Sequence, residues 1–154
     1  MVATATYITD SVLALRAIVD NVTDPVSASR PSDSKFVVTQ WPLRTTFHPV
    51  ISIRSEGTEE IHSSGFKSEL MWVRLSFAIR IWARNEVEKE KLTQSVVNEL
   101  RTAQFDGGSA LSDDEGLHDL KFDSVVSVDE QDENGVAGIR SNIIRIQLKF
   151  MLGS

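Results

Sequence analysis

The sequence predicts an α+β domain: a mainly antiparallel sheet of about five strands, with two helices packed on one face, in the order α-β-β-β-α-β-β. Three observations predict it. Met71, Val73, Leu75, Phe77, Ile79 and Ile81 form an unbroken apolar alternation, the period of a strand with one buried face. Stretches 9–22 and 85–105 space their apolar residues by three and four instead, as amphipathic helices do. The DENG segment (132–135) carries the Asn-Gly pair of a tight hairpin between two alternating runs. Helices packed on one face of a mainly antiparallel sheet are the α+β arrangement. All of 1–154 is expected to form this one domain.

The first helix is expected over TDSVLALRAIVDNV, with Thr9 and Asp10 as cap candidates and Val12, Leu15, Ile18, Val19 and Val22 as its buried stripe. A polar linker with two of the four prolines follows, up to Lys35. Phe36 to Trp41 reads as a short strand and Val50 to Arg54 as another. Between them, PLRTTFHP is bracketed by Pro42 and Pro49, which rules out a central strand. Ser55 to Glu69 is polar with two glycines and reads as a long arm.

After the strand from Met71, Asn85 is placed to cap the second helix, with Glu88 where a capping box wants it. Val87, Leu92, Val96, Val97, Leu100 and Ala103 supply its buried stripe, and Phe105 with DGGS ends it. A third polar loop spans about 105–118. The next strand sets Leu120, Phe122, Val126 and Val128 on one side. The last, from about Val136 to Phe150, turns Ile144, Ile146, Leu148 and Phe150 inward. Ile139 and Ile143 have the opposite phase, which predicts a bulge near 142–144. The arms are expected at about 22–35, 55–69 and 105–118.

Composition narrows the function. The 154 residues are 41% hydrophobic and 25% charged, ordinary for a soluble globular protein. No apolar run approaches the roughly 20 residues of a membrane helix. MVATATYITDSV lacks the basic start and apolar stretch of a signal peptide. The absence of cysteine excludes disulfides, thiolate catalysis and Cys-ligated metals. A net charge of -6 argues against holding nucleic acid over a broad surface.

No catalytic constellation emerges. His48, His62 and His118 sit in three separate segments, without the spacing of a zinc site. The acidic groups at Glu59-Glu60, Asp113-Asp114-Glu115 and Asp129 to Glu133 lack EF-hand spacing and read as solvated loop charge. Gly107-Gly108 follows a helix, so it is a stop and not a phosphate cradle. Ser63, Ser64 and Gly65 make no nucleophile elbow. The chain is read as no enzyme, with no cofactor and no metal.

The second face of the 71–84 strand stands out. Trp72, Arg74, Arg80, Trp82 and Arg84 occupy it, where a wet face usually carries Thr, Lys, Glu or Ser. Tryptophan and arginine are enriched at the energetic centres of interfaces. These five are the candidate contacts to another subunit. The intrachain alternatives are cover by the first helix or the 22–35 linker, and stacking of each Trp on a neighbouring Arg. Trp41 beside Pro42 is a further interface candidate, or a core-edge aromatic.

Helix, linker, strand, PLRTTFHPVISI, long arm, SFAIRIWARNEVEKEKLTQSVVNELR and closing hairpin together resemble the tail-terminator or tail-completion family of tailed viruses. The likeness includes an I-x-I-W-A-x passage at Ile79 to Arg84 and runs from about Tyr7 to Leu148 as a pattern, without a diagnostic motif. It implies a structural virion protein of the neck, assembled in the host cytoplasm, forming a ring of typically six copies. Such a ring ends the tail tube and presents a surface to the head-tail connector or adaptor protein. Its partners would be itself, the tail tube protein and the connector, with DNA only passing through the channel and no membrane. The acidic balance fits a channel that does not hold DNA. The long 55–69 arm and the acidic 105–118 loop depart from the pattern and fit a head-completion or connector protein of the same neck. A soluble adaptor that stays monomeric and binds a protein partner through the Trp/Arg face is the rival from another class.

Overall fold

The structure, a computed structural model, describes residues 2–40, 47–62, 71–105, 111, 115–131 and 137–152. A 3-10 turn at Thr4–Thr6 leads into helix α1 (Tyr7–Val19). Strands β1 (Val37–Val38), β2 (Val50–His62) and β3 (Met71–Ala83) follow, then helix α2 (Glu86–Phe105) and strands β4 (Leu117–Gln131) and β5 (Ala137–Leu152). The expected order is the observed one. The five strands form one open sheet in the spatial order β1-β2-β3-β5-β4, antiparallel except where β1 runs parallel to β2.

One hydrophobic cluster joins the helices to a single sheet face. Ala14, Leu15, Ile18 and Val19 of α1 and Leu92, Val96 and Leu100 of α2 meet Ile51, Ile53, Val73, Leu75, Phe77, Ile79 and Ile81. Ile144, Ile146, Leu148 and Phe150 of β5 complete that layer. The alternation in β3 is therefore explained by helices on one side only. Full burial of each such aliphatic or aromatic side chain stabilises by roughly 2 kcal/mol relative to exposure.

The helix ends follow from local hydrogen bonding. The Asp10 carboxylate accepts from the Ala3 amide (3.1 Å) and the Thr6 hydroxyl (2.7 Å). Helix α1 thus begins two residues before Thr9 and is anchored from inside its first turn. It closes at Val19, short of Val22, with the Asp20 amide donating to the Arg16 carbonyl (2.8 Å). Asn85 caps α2, its Oδ1 accepting from the Glu88 amide at 2.9 Å. The Glu88 carboxylate takes the Arg84 amide (3.2 Å), one residue earlier than in a capping box. Asn85→Ala should lower unfolding free energy by about 1 kcal/mol in urea titration, without changing the slope.

Several expected boundaries are corrected. The arm at 55–69 begins as strand: β2 continues to His62, pairing with β3 as far as Met71, and 63–70 lie outside the described residues. Gly57, at φ 151°, sits at the irregularity where the β2–β3 register shifts, a conformation that favours glycine. The strand expected at Phe36 to Trp41 is only Val37–Val38, with Trp41 and 42–46 outside the described residues. Of the 105–118 loop, Phe105 ends α2, Leu117 and His118 open β4, and Leu111 is fully buried in the core. The DENG turn lies outside the described residues, while its flanking strands pair from Gln131 with Ala137.

The irregularity expected near 142–144 lies in β4. Strand β5 pairs with β3 in continuous register, whereas β4 shifts near His118, Phe122 and Asp129. Each shift changes which face the following residues occupy. Phe122 pairs with Ile146 on the helix side, but Val126 pairs with Ile143 and Val128 with Ser141 on the other face. Val126 and Val128 thus do not share the side of Leu120 and Phe122. In α2, Val87 is 63% exposed and Lys89 is buried in the stripe instead. Its ammonium donates to the Ser127 hydroxyl (2.6 Å) and pairs with Glu86 (2.9 Å), while its methylenes cover apolar surface.

The 22–35 linker is folded onto the sheet edge through Arg30. The guanidinium donates twice to the Asp24 carboxylate (2.5 and 3.1 Å), and to the carbonyls of Phe47 (3.1 Å) and Pro49 (2.6 Å). It also lies 5.3 Å from the ring centres of Phe36 and Phe47. The segment expected as a polar linker and arm is pinned through Arg30.

Candidate interaction face

Both described helices pack on one side of the sheet, which leaves the other side free of helix among the described residues. Trp72, Arg74, Arg80 and Trp82 of β3 lie on this helix-free face, in the phase opposite to Val73 through Ile81. Register places Ser52 and Arg54 of β2 beside them, with Ser141, Ile143, Arg145, Lys149 and Met151 of β5 on the other flank. The first helix cannot cover the Trp/Arg row, since α1 is on the opposite side.

The row divides into two halves. At one end Trp82 is 4% and Arg80 9% exposed. The Arg80 guanidinium sits 4.7 Å above the Trp82 ring and donates through Nε and Nη2 to the Ser141 hydroxyl (3.1 and 3.0 Å). That hydroxyl in turn donates to the Val128 carbonyl (2.9 Å), tying β3, β5 and β4 together. A guanidinium stacked on indole and hydrogen-bonded to the Ser141 hydroxyl is held in place, which suits a structural brace.

At the other end Trp72 is half-buried, its ring edge-on to His118 at 5.6 Å. Arg74 pairs with Glu59 (3.1 Å) and Lys149 with Asp119 (3.3 Å). Exposed pairs of this kind contribute little to stability. Met151 and Val126 add apolar surface to the face, 37% and 41% exposed.

Arg84 is separated from the row. It lies beyond β3, where its guanidinium is engaged by the Glu88 carboxylate. Hydrogen bonds from Arg84 hold the Glu88 carboxyl below its ordinary range and outweigh desolvation. Trp41 lies outside the described residues.

Between the two halves is an open depression of about 480 Å³ lined by Ser52, Arg54, Glu56, Ala78, Arg80 and Arg145, among others. Sequence reasoning did not single out Ser52, Arg54 or Arg145. The signal was present, because Val50, Ser52 and Arg54 alternate against Ile51 and Ile53, and Ile143 and Arg145 against Ile144 and Ile146. Among the described residues no group of three or more His, Asp or Glu gathers as a cation site. No helix of the described residues is long and apolar enough to cross a membrane.

Comparison of the chain with known protein families and with curated proteins finds no match.

Proposed function

We propose that this chain is a non-enzymatic, ring-forming structural protein of the tailed-virus neck, terminating the tail tube and meeting the head connector. One observation carries the reading. A single-layer sheet presents a helix-free face with half-buried Trp72, exposed Met151 and Val126, and a band of arginine. Such a face is the composition of an interface centre, with aromatic and arginine anchors beside modest apolar surface. Its partner in this reading is a second copy of the chain. The tube protein, the connector and location in the virion follow from the resemblance of the chain's pattern to tail-terminator proteins.

Light scattering across protein concentration, with and without divalent cations and high salt, tests the proposal. A discrete ring-sized species is expected. Trp72→Ala combined with Arg74→Ala should shift it to monomer while leaving thermal unfolding nearly unchanged. These two positions are the informative ones, because Arg80 and Trp82 also brace the fold. A monomer under every condition overturns the ring.

A further inference from the structure

Both edges of the open sheet carry strand without a neighbour. β1 covers only Ile51 and Ser52 of β2, so among the described residues no strand lies beside Arg54 to Glu59 on that side. Arg54, Glu56, Gly57, Thr58 and Glu59 are exposed, and nothing lies within 4 Å of where a side chain at Gly57 would begin. At the other edge, Val125 and Val126 of β4 are 50% and 41% exposed. Adjacent strand residues point to opposite faces, so β4 is uncovered on both. Natural sheets guard such rows of N–H and C=O groups with lysine or proline, and Ser124 to Val128 carries neither.

The two edges cannot meet within one chain. β3 and β5 lie between β2 and β4, which sets them three strand spacings apart, roughly 14 Å. Three antiparallel steps separate them, so β2 and β4 run in opposite directions. A second copy set edge to edge, without being turned over, therefore brings its β2 antiparallel to β4 with all helices on one side.

Faces, charge and irregularities select one register. Residues paired across strands share a face. Lys121 and Val126 pair with Gln147 and Ile143 on the helix-free face, as Glu59 and Arg54 pair with Arg74 and Ala78. Phe122 and Val125 lie on the helix side, as do Thr58 and Ser55. Lys121 opposite Glu59 and Val126 opposite Arg54 thus matches the faces. It also opposes two unlike charges whose side chains are 70% and 69% exposed. Each strand has one extra residue, Asp123 in β4 and Glu56 in β2, and both fall in the same two-residue step. Within one copy Val126 is level with Ser52, and Lys121 with Gly57, so the neighbour is offset by two residues. That is the smallest shift that keeps the faces and clears Ser52, which β1 covers. Closing a sheet into a ring requires such a stagger.

We infer that Lys121–Val126 of β4 adds as a strand to Arg54–Glu59 of β2 in a second copy, head to tail, carrying the sheet from subunit to subunit. This deepens the ring reading and rests on it. Arg74, which pairs with Glu59, joins the helix-free row to this edge. Each addition leaves one edge of either kind free, so copies add until the ring closes.

The chain has no cysteine, so introduced ones report this contact alone. Opposed residues of antiparallel strands lie about 4.5–5.5 Å apart at Cα, within disulfide reach. The full chain with Arg54→Cys and Val126→Cys together, oxidised and run on denaturing gels, is expected to give a ladder of covalent multimers ending at the ring size. Either substitution alone should leave it monomeric on the gel. Arg54 and Val126 are exposed, so the fold should survive; circular dichroism and thermal unfolding verify this. Val126→Lys should weaken self-association about tenfold or more in sedimentation, with parental unfolding. Lys121→Glu should weaken it about fivefold. A covalent dimer and nothing larger from Val126→Cys alone would show β4 pairing with itself and overturn the assignment to β2. If the parent forms the ring-sized species but the double variant gives no ladder, the edge pairing falls and the ring stands. A parent chain that never associates removes the ring and this inference together.

Discussion

Arg30→Ala lowers the unfolding free energy by about 4 kcal/mol, read from urea unfolding, and Arg30→Lys recovers only a small part of that. The side chains of Arg30 and Asp24 are 7% and 13% exposed. Removing the guanidinium leaves a carboxylate largely out of water, deprives the Phe47 and Pro49 carbonyls of a donor, and uncovers the facing sides of Phe36 and Phe47. Lysine carries the charge but not the planar fork that reaches a carboxylate and two carbonyls at once. The loss should localise: hydrogen exchange should rise through 22–40 and at the start of β2 before it rises in β3, because Arg30 ties the linker to that edge.

The same contact gives the protein an acid-sensitive component. Desolvation pushes the Asp24 carboxyl up, but hydrogen bonds from Arg30 and the Val26 amide, with the charges of Arg30 and Arg84, outweigh it and hold it below its ordinary 3.8. A carboxyl with a depressed folded value stabilises fully above its unfolded value, and that contribution is lost as pH falls through the folded one. Asp24→Asn should therefore be less stable than the parent at neutral pH, with the difference closing as pH drops below 3.8. A constant difference across that range would show that the pair contributes by shape alone.

Arg30 also marks where the sequence stops being legible. Its partners lie up to nineteen residues away, and nothing in SASRPSDSK distinguishes it from a solvated arginine. Lys89 is similar: helical spacing and charge place it in water, yet it is 1% exposed because Ser127 and Glu86 receive its ammonium. Local signals fared better. The β3 alternation, the Asn85 cap and the α+β order were all readable, since each rests on period or on contacts within one turn. The extension of β2 to His62 was not, because Glu59 and Thr58 pair with Arg74 and Leu75 on a solvated arm where composition carries no strand signal. The helix-free face was half legible: β3 announced it, while Arg54 and Arg145 needed the cross-strand register.

Phe77→Ala should be as costly as the loss of Arg30, about 4 kcal/mol in urea unfolding, but by a different route. Phe77 is fully buried at the middle of β3, flanked across the sheet by Ser55 and Ile146. Ser55 is too small to fill the space left by the ring, and close-packed neighbours relax only partly, so the cavity adds to the lost transfer energy. Phe77→Leu should cost much less, since it keeps most of the volume. The position also separates stability from association. Phe77 points to the helices, while Ala78 beside it lines the depression on the helix-free face, and strand alternation ties both faces to one register. The folded fraction of Phe77→Ala should thus associate with parental affinity at low temperature, where it remains native. Trp72→Ala with Arg74→Ala should do the reverse, unfolding like the parent and failing to associate. If Phe77→Ala abolished association while still folded, the helix-free face would depend on core packing, and its arginine and tryptophan row would not be the surface that a second copy recognises.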